Sequence, residues 1–195
     1  MKITTLAILA AALEVGASAW PIIPASAPVV TVCLGRAADG LPDDMVRNEA
    51  SRIFSAIPVR IVWQSEDACE VNDAIRVHLR GQTPSTLMPG ALAFARPYQG
   101  TYIEIFYDRV RAMALPDDRR RLLAYVLVHE ITHILQGACR HSEAGIMKAN
   151  WRDHDFAEMR YGDLKFTAED VRLVQEGLKT RAQRLEALGD TLKSR

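Results

Sequence analysis

The segment His129-Glu130-Ile131-Thr132-His133 contains the residue types needed to bind zinc and to move a proton. On an α-helix the two histidines lie about 40° apart around the axis and one turn apart along it. This spacing lets two imidazole nitrogens reach one zinc ion at about 2.0–2.1 Å. Zinc lowers the pKa of a bound water towards about 7, and a neighbouring carboxylate can take its proton as the water attacks a carbonyl. The pattern therefore predicts His129 and His133 as zinc ligands and Glu130 as general base.

A catalytic zinc site also needs a third protein ligand and an open position. After the two histidines, Gly137 allows a sharp reversal, and His141 follows four residues later, so the chain can return to the metal. Cys139, Glu143 and Glu158 are alternative ligands, because thiolates and carboxylates also bind zinc. The alternative for the whole motif is a pair of ordinary hydrogen-bonded core histidines.

The region from 129 to 147 resembles the active-site segment of the metzincin clan of zinc metallopeptidases. It has the five-residue motif above, then a glycine, a third histidine and a nearby methionine. The resemblance implies that His141 is the third zinc ligand. It also implies that Met147 lies in the methionine-containing turn beneath the metal.

The spacing of this region departs from the usual metzincin pattern. That pattern has glycine and the third ligand three and six residues after the second histidine, where this chain has Gln136 and Cys139. The chain is nevertheless similar to a group of small secreted bacterial metzincin-like proteins. In those proteins the third histidine follows the second by eight residues, as His141 does here.

The surrounding elements must place the motif on a helix and return the chain to it. Pro116 predicts the start of a long helix to about Gln136, ended by Gly137. Other helices are predicted from Pro42 to about Ile57 and from Thr167 to about Leu188, whose inner face includes Leu185. β-Branched and alternating runs predict strands over 29–34, 59–63, 74–79, 91–95 and 101–107.

The order of these elements, β-α-β-β-β-β-α and then α, predicts an α/β (α+β) fold. The resemblance implies a metzincin-like twisted mixed sheet with an active-site helix, a methionine turn and a C-terminal helix. The strand over 101–107 is a candidate for pairing with an extended substrate, and the alternative is a strand packed on both faces.

Composition narrows the class of protein. The chain has 195 residues, 24 Lys+Arg against 24 Asp+Glu, and 49% hydrophobic residues. Zero net charge argues against a nucleic-acid binder, and the high apolar content excludes a disordered chain. No long apolar run follows the N-terminus, so the body is predicted to be one globular domain without membrane spans.

The N-terminus predicts export. Residues 1–19 have Lys2, a short apolar run and then Ala17-Ser18-Ala19, which is typical of a signal peptide, with an uncleaved anchor as the alternative. Residues 20–28 are an extended lead-in, and residues 29–195 form the metzincin-like domain. In an oxidising compartment we expect Cys33 to form a disulfide with Cys69, which leaves Cys139 without a disulfide partner.

The sequence therefore predicts a secreted or periplasmic zinc endopeptidase that acts on peptides or proteins. It binds Zn²⁺ and contacts neither nucleic acid nor, after signal cleavage, membrane. The second hypothesis is a secreted zinc-binding or interaction module that cleaves nothing.

Overall fold

The structure, a computed structural model, describes residues 26–36, 43–98 and 101–193. One five-stranded sheet has the order β2-β1-β3-β5-β4. Neighbouring strands are parallel except β4, which runs antiparallel to β5 at one edge. The bounds are β1 (Val29–Leu34), β2 (Arg60–Ser65), β3 (Ile75–Arg80), β4 (Ala93–Ala95) and β5 (Tyr102–Phe106).

Five α-helices and a single 3₁₀ turn (Glu66–Ala68) accompany the sheet in the described part of the chain. The α-helices are α1 (Asp43–Phe54), α2 (Tyr107–Met113), α3 (Pro116–Gln136), α4 (Asp153–Tyr161) and α5 (Ala168–Lys193). The expected α/β fold with a mixed sheet, a central helix and a C-terminal helix is therefore confirmed.

The central helix α3 has the bounds that its sequence predicts. Pro116 begins it, where the missing N–H of proline costs nothing. Gly137 ends it in the left-handed conformation, with φ of 67° and its N–H bonded to helix carbonyls. Every residue from Leu122 to Leu135 is buried. Because α3 is covered on all sides, by β4 and β5 and by the other four helices, its position is fixed.

The C-terminal helix α5 crosses the end of α3 at very close range. A Cβ atom on Gly177 would lie 1.8 Å from the carbonyl oxygen of Leu135. Only glycine allows this approach without a shift of one helix. At its start, the hydroxyl oxygen of Thr167 accepts the N–H of Asp170 at 3.2 Å, and the Asp170 carboxylate accepts the N–H of Thr167 at 3.0 Å, so Thr167 caps α5.

Two helices and one position on α5 differ from the sequence prediction. The strand predicted over 101–107 ends at Phe106, and α2 begins at once without any Gly or Pro between them. The short helix α4 lies in the stretch expected to be irregular. Leu185, expected on the inner face of α5, is 42% exposed, because that part of the helix extends past the core.

The strand proposed for substrate pairing is not at an edge. β5 pairs with β3 on one side and β4 on the other, so its backbone groups are already used. The edge strand beside it is β4, and the expectation that the strand over 101–107 pairs with substrate is wrong.

Cys33 and Cys69 form a disulfide, as expected, which ties β1 to the turn after β2. Cys139 is a free, exposed cysteine. No helix among the described residues is long and apolar enough to cross a membrane. The predicted signal peptide and most of the extended lead-in lie outside the described residues.

Candidate metal centre

The two helical histidines point one ring nitrogen each towards the same spot. The Nε2 atoms of His129 and His133 lie 3.1 Å apart. On the other side of each ring, Nδ1 lies 2.8 Å from the carbonyl oxygen of Ile146 and 3.0 Å from that of Ala138, respectively. A carbonyl can only accept, so both Nδ1 atoms carry the proton and both Nε2 atoms present bare lone pairs.

This arrangement fits a metal ion. Two lone pairs at 3.1 Å repel each other unless a cation lies between them. Burial, with a smaller contribution from the other histidines, lowers the pKa of His129 to about 3. Burial likewise lowers the pKa of His133 to about 4, so neither ring is protonated at neutral pH. Tetrahedral zinc with Zn–N of about 2.0–2.1 Å requires ligand nitrogens roughly 3.3 Å apart, close to the separation found.

The loop after α3 brings a third histidine to the pair. The ring of His141 lies 5.3 Å from that of His129 and 4.9 Å from that of His133, between centroids. One nitrogen from each ring lies within 4.8 Å of the others, and these three histidines form a group that could hold a metal ion. Unlike the other two, His141 is exposed. The structure brings the three predicted ligands together, and their roles as ligands stay a prediction.

The alternative third ligands lie outside this group. Within the described residues, no second cluster of His, Cys, Asp and Glu side chains is close enough to hold an ion. Glu158 pairs with His154 at 3.2 Å on an exposed face of α4. Cys139 and Glu143 are both exposed and are not part of the histidine cluster.

Glu130 is buried beside the histidines. Burial raises the pKa of its carboxyl to about 8, and a backbone hydrogen bond from Ala95 offsets part of that rise. A carboxyl group with a pKa near neutral pH can both take up and release a proton. Glu130 also lines the same cleft as His129 and His141, so its environment suits the predicted general base.

The turn that contains Met147 folds back on itself. The N–H of Ser142 donates to the carbonyl of Met147 at 2.8 Å, and the N–H of Ile146 donates to the carbonyl of Lys165 at 3.0 Å. Gly145 has φ of 75°, and a Cβ there would lie 2.3 Å from the Lys165 oxygen. Met147 is fully buried. The turn thus holds the Ile146 carbonyl where it accepts from His129, and the role of Met147 beneath a metal stays a prediction.

A cleft of about 460 Å³ opens onto His129, His141 and Glu130. One wall is the segment 88–93 that leads into the edge strand β4, and the other includes Trp151 and Phe156. The cleft has one lysine, Lys148, whose ammonium is bound to the buried carboxylate of Asp155 at 2.5 Å. A larger cavity of about 600 Å³ between α1 and the start of α3 is lined by no histidine or cysteine.

No family model matches the sequence, and no curated protein is similar to it by sequence. Among solved structures, the fold is similar to that of archaemetzincin from Methanopyrus kandleri, with a TM-score of 0.53 and 14% sequence identity. The match covers 81% of this chain and 99% of that chain. The two proteins share the archaemetzincin fold. At this identity the likeness concerns the fold alone.

Several residues that build the site have no signal in the sequence. The carbonyls of Ile146 and Ala138, which orient the helical histidines, belong to residues without polar side chains. Asp155 and Asp170 each stand three residues after a helix-start position, a pattern typical of caps. That pattern locates helix starts, but it does not show that these carboxylates also reach Lys148 and Ser142.

Proposed function

We propose that this protein is a zinc-dependent endopeptidase. The observation that supports the proposal is the pair of Nε2 lone pairs that face each other at 3.1 Å, with a third histidine beside them. The shared archaemetzincin fold supports the same conclusion, since metzincins are zinc metallopeptidases. His129, His133 and His141 hold the metal, and the exposed side of the site leaves room for substrate.

When bound, zinc acidifies the attacking water and polarises the scissile carbonyl. Glu130 accepts the proton of that water and then donates it to the leaving amine. The N–H of Ala95 orients the carboxylate of Glu130 for both transfers. The carbonyls of Ile146 and Ala138 keep the Nδ1 atoms protonated, so each ring offers only Nε2 to the metal.

The edge strand β4 supplies a place for an extended peptide. Its outer edge pairs with no other strand of the described sheet, although the N–H of Ala95 is used by Glu130, and Ala93 lies in the wall of the cleft that contains Glu130. A peptide that adds to this edge as a strand would pass the metal with its carbonyls exposed. The one lysine in the cleft is neutralised by Asp155, so the cleft favours apolar substrate side chains over acidic ones.

The experiment is cleavage of an unbiased peptide pool by zinc-loaded protein, followed by mass spectrometry. The matched control is Glu130→Gln, which keeps the shape of the side chain and all three histidines. We expect this variant to retain zinc and to cleave about 10²–10⁴-fold more slowly. Unchanged cleavage by zinc-loaded Glu130→Gln would contradict the mechanism. No cleavage by zinc-loaded wild type would favour a zinc-binding module that is not an enzyme.

We also propose that the protein is exported and loses residues 1–19. The Cys33–Cys69 disulfide supports this, because such bonds persist in oxidising compartments. The test is the mass of the protein recovered from the cell exterior or periplasm. An N-terminus at Trp20 is expected, and recovery of the whole chain from the membrane fraction would contradict cleavage.

A further inference from the structure

We propose that Asp170 is a positioning residue for the metal ligand His141. Its carboxylate holds the two residues on either side of that ligand, Arg140 and Ser142. The inference rests on the metal site of the proposed function and deepens it. It makes the C-terminal helix α5 part of that site, where the sequence indicated only a helix that packs on the core.

The two oxygens of the Asp170 carboxylate have separate tasks. Oδ1 accepts the hydroxyl of Ser142 at 2.5 Å and lies 3.4 Å from the guanidinium of Arg140. Oδ2 accepts the N–H of Thr167 at 3.0 Å and its hydroxyl at 2.7 Å, which caps α5. The residue is completely buried, so these partners are what make its charge tolerable. Oδ2 therefore stabilises the start of α5, and Oδ1 anchors the loop that carries His141.

The position of His141 depends on the loop that carries it, whereas His129 and His133 lie on a helix. His129 and His133 are fixed by a buried helix and by a hydrogen bond from each ring to a carbonyl. His141 is exposed, and among the described residues no hydrogen bond fixes its ring. Its place at the metal is therefore set by the backbone around it. That backbone is held by Asp170 and by the N–H of Ser142, which donates to Met147 at 2.8 Å.

The position of Asp170 is itself fixed relative to the helical histidines. Seven residues further on, or about two turns along α5, Gly177 contacts the backbone at the end of α3. The Leu135 carbonyl in that contact lies two residues after His133 on the same helix. The packing of α5 on α3 thus sets the distance between the helical pair and the anchor of the third ligand.

The chain offers a matched pair of variants for the test. Ser142→Ala and Thr167→Ala each remove one hydroxyl donor to the same carboxylate, on the loop side and on the cap side respectively. Zinc affinity is measured by competition with a chromophoric chelator. The visible spectrum of the Co²⁺-substituted protein, compared with that of His141→Ala, reports the ligand set. Thermal unfolding of the metal-free proteins reports stability.

We expect Ser142→Ala to weaken zinc binding about ten- to a hundredfold, the range for groups that orient metal ligands. Its Co²⁺ spectrum should move towards that of His141→Ala, and Ser142→Thr, which keeps the hydroxyl, should restore both. Thr167→Ala should lower the unfolding temperature through loss of the cap. Its zinc affinity should stay within about twofold of wild type, since a cap acts on the helix and not on the ligand.

Wild-type zinc affinity and spectrum in Ser142→Ala would overturn the inference. Equal weakening by both variants would overturn it too, because Asp170 would then act only through stability. Both outcomes leave the proposed function standing. Failure of the wild-type protein to bind zinc would instead contradict the proposed metal site itself, and this inference with it.

Discussion

The two halves of the histidine cluster are built in different ways. His129 and His133 lie on α3, where fourteen successive residues are buried and each ring donates to a backbone carbonyl. His141 lies on an exposed loop that is anchored by a carboxylate from another helix. The helical half depends on local periodicity, and the loop half depends on contacts between segments far apart in the chain. The two halves should therefore respond differently to substitution and to removal of the metal.

The largest effect is expected from loss of a helical ligand. Zinc-binding free energies of about 10–16 kcal/mol over four ligands give about 2.5–4 kcal/mol each, or roughly seventyfold to eight-hundredfold in affinity. We expect His133→Ala to reach at least that loss. His141→Ala should lose about tenfold less, because ordering its loop consumes part of its contribution. Chelator competition on the two variants measures both, and a larger loss in His141→Ala would reverse the comparison.

The buried carboxyl of Glu130 should make the metal-free protein sensitive to pH. Burial raises its pKa from an ordinary 4.5 to about 8, so ionisation of the folded protein is unfavourable between these values. The contribution of neutral Glu130 to stability is therefore fully present below about pH 4.5 and is lost as pH rises to 8, whereas Gln does not titrate. We expect Glu130→Gln to gain up to about 5 kcal/mol over wild type at alkaline pH, the equivalent of this pKa difference.

Urea unfolding in chelator at pH 5 and pH 8.5 measures this difference. Both proteins contain the same histidines, so the titration of those rings cancels in the comparison. A stability difference between the two proteins that does not grow with pH would show that Glu130 is not held in a water-excluded site.

The elements that local sequence signals mark were predicted correctly, and those without such signals were missed. The bounds of α3 and β1 are as expected, because proline, glycine and a run of apolar residues mark them locally. The turn of the chain at Gly137 was also predictable. α2 was missed because β5 runs into it without a breaker and its start at Phe106 has no side-chain cap. α4 was missed because it buries only Asp155 and Met159, too few for a helical pattern.

The contacts that complete the loop half could not be predicted from local signals. The start of α5 at Thr167 was predicted correctly, and there one oxygen of the Asp170 carboxylate accepts the N–H of Thr167. That the second oxygen of the same carboxylate reaches Ser142, 28 residues earlier, depends on the packing of α5 across α3. The edge position of β4 could not be predicted either, because strand order is a property of the whole sheet.

Removal of the metal should affect the loop more than the helix. We expect amide hydrogen exchange across residues 138–147 to rise about ten- to a hundredfold in chelator, since local opening is easiest where few groups are buried. Exchange in the buried part of α3 should change far less. Mass spectrometry of peptides from the two segments, with and without zinc, gives the ratio. Equal changes in both segments would mean that the cluster behaves as one unit.

The smallest effect on the site is expected from the disulfide. Cys33 and Cys69 close a loop with a sequence separation of 36, and their loss should cost about 2–4 kcal/mol of stability. The bond ties β1 to the turn after β2, and neither residue is near the histidine cluster in the chain. The Cys33→Ser/Cys69→Ser protein should therefore unfold at a lower temperature and bind zinc as wild type does. Weakened zinc binding at a temperature where this variant is folded would show that the disulfide influences the metal site.

The most direct test is the zinc content of wild type, His141→Ala and Cys139→Ala after dialysis against a weak chelator. Elemental analysis should find about one zinc per chain in wild type and in Cys139→Ala, and a sharp loss in His141→Ala. Cys139→Ala is the matched control, since it alters the same loop two residues away. Full zinc in His141→Ala together with loss in Cys139→Ala would contradict the account, because the third ligand would then be the thiolate.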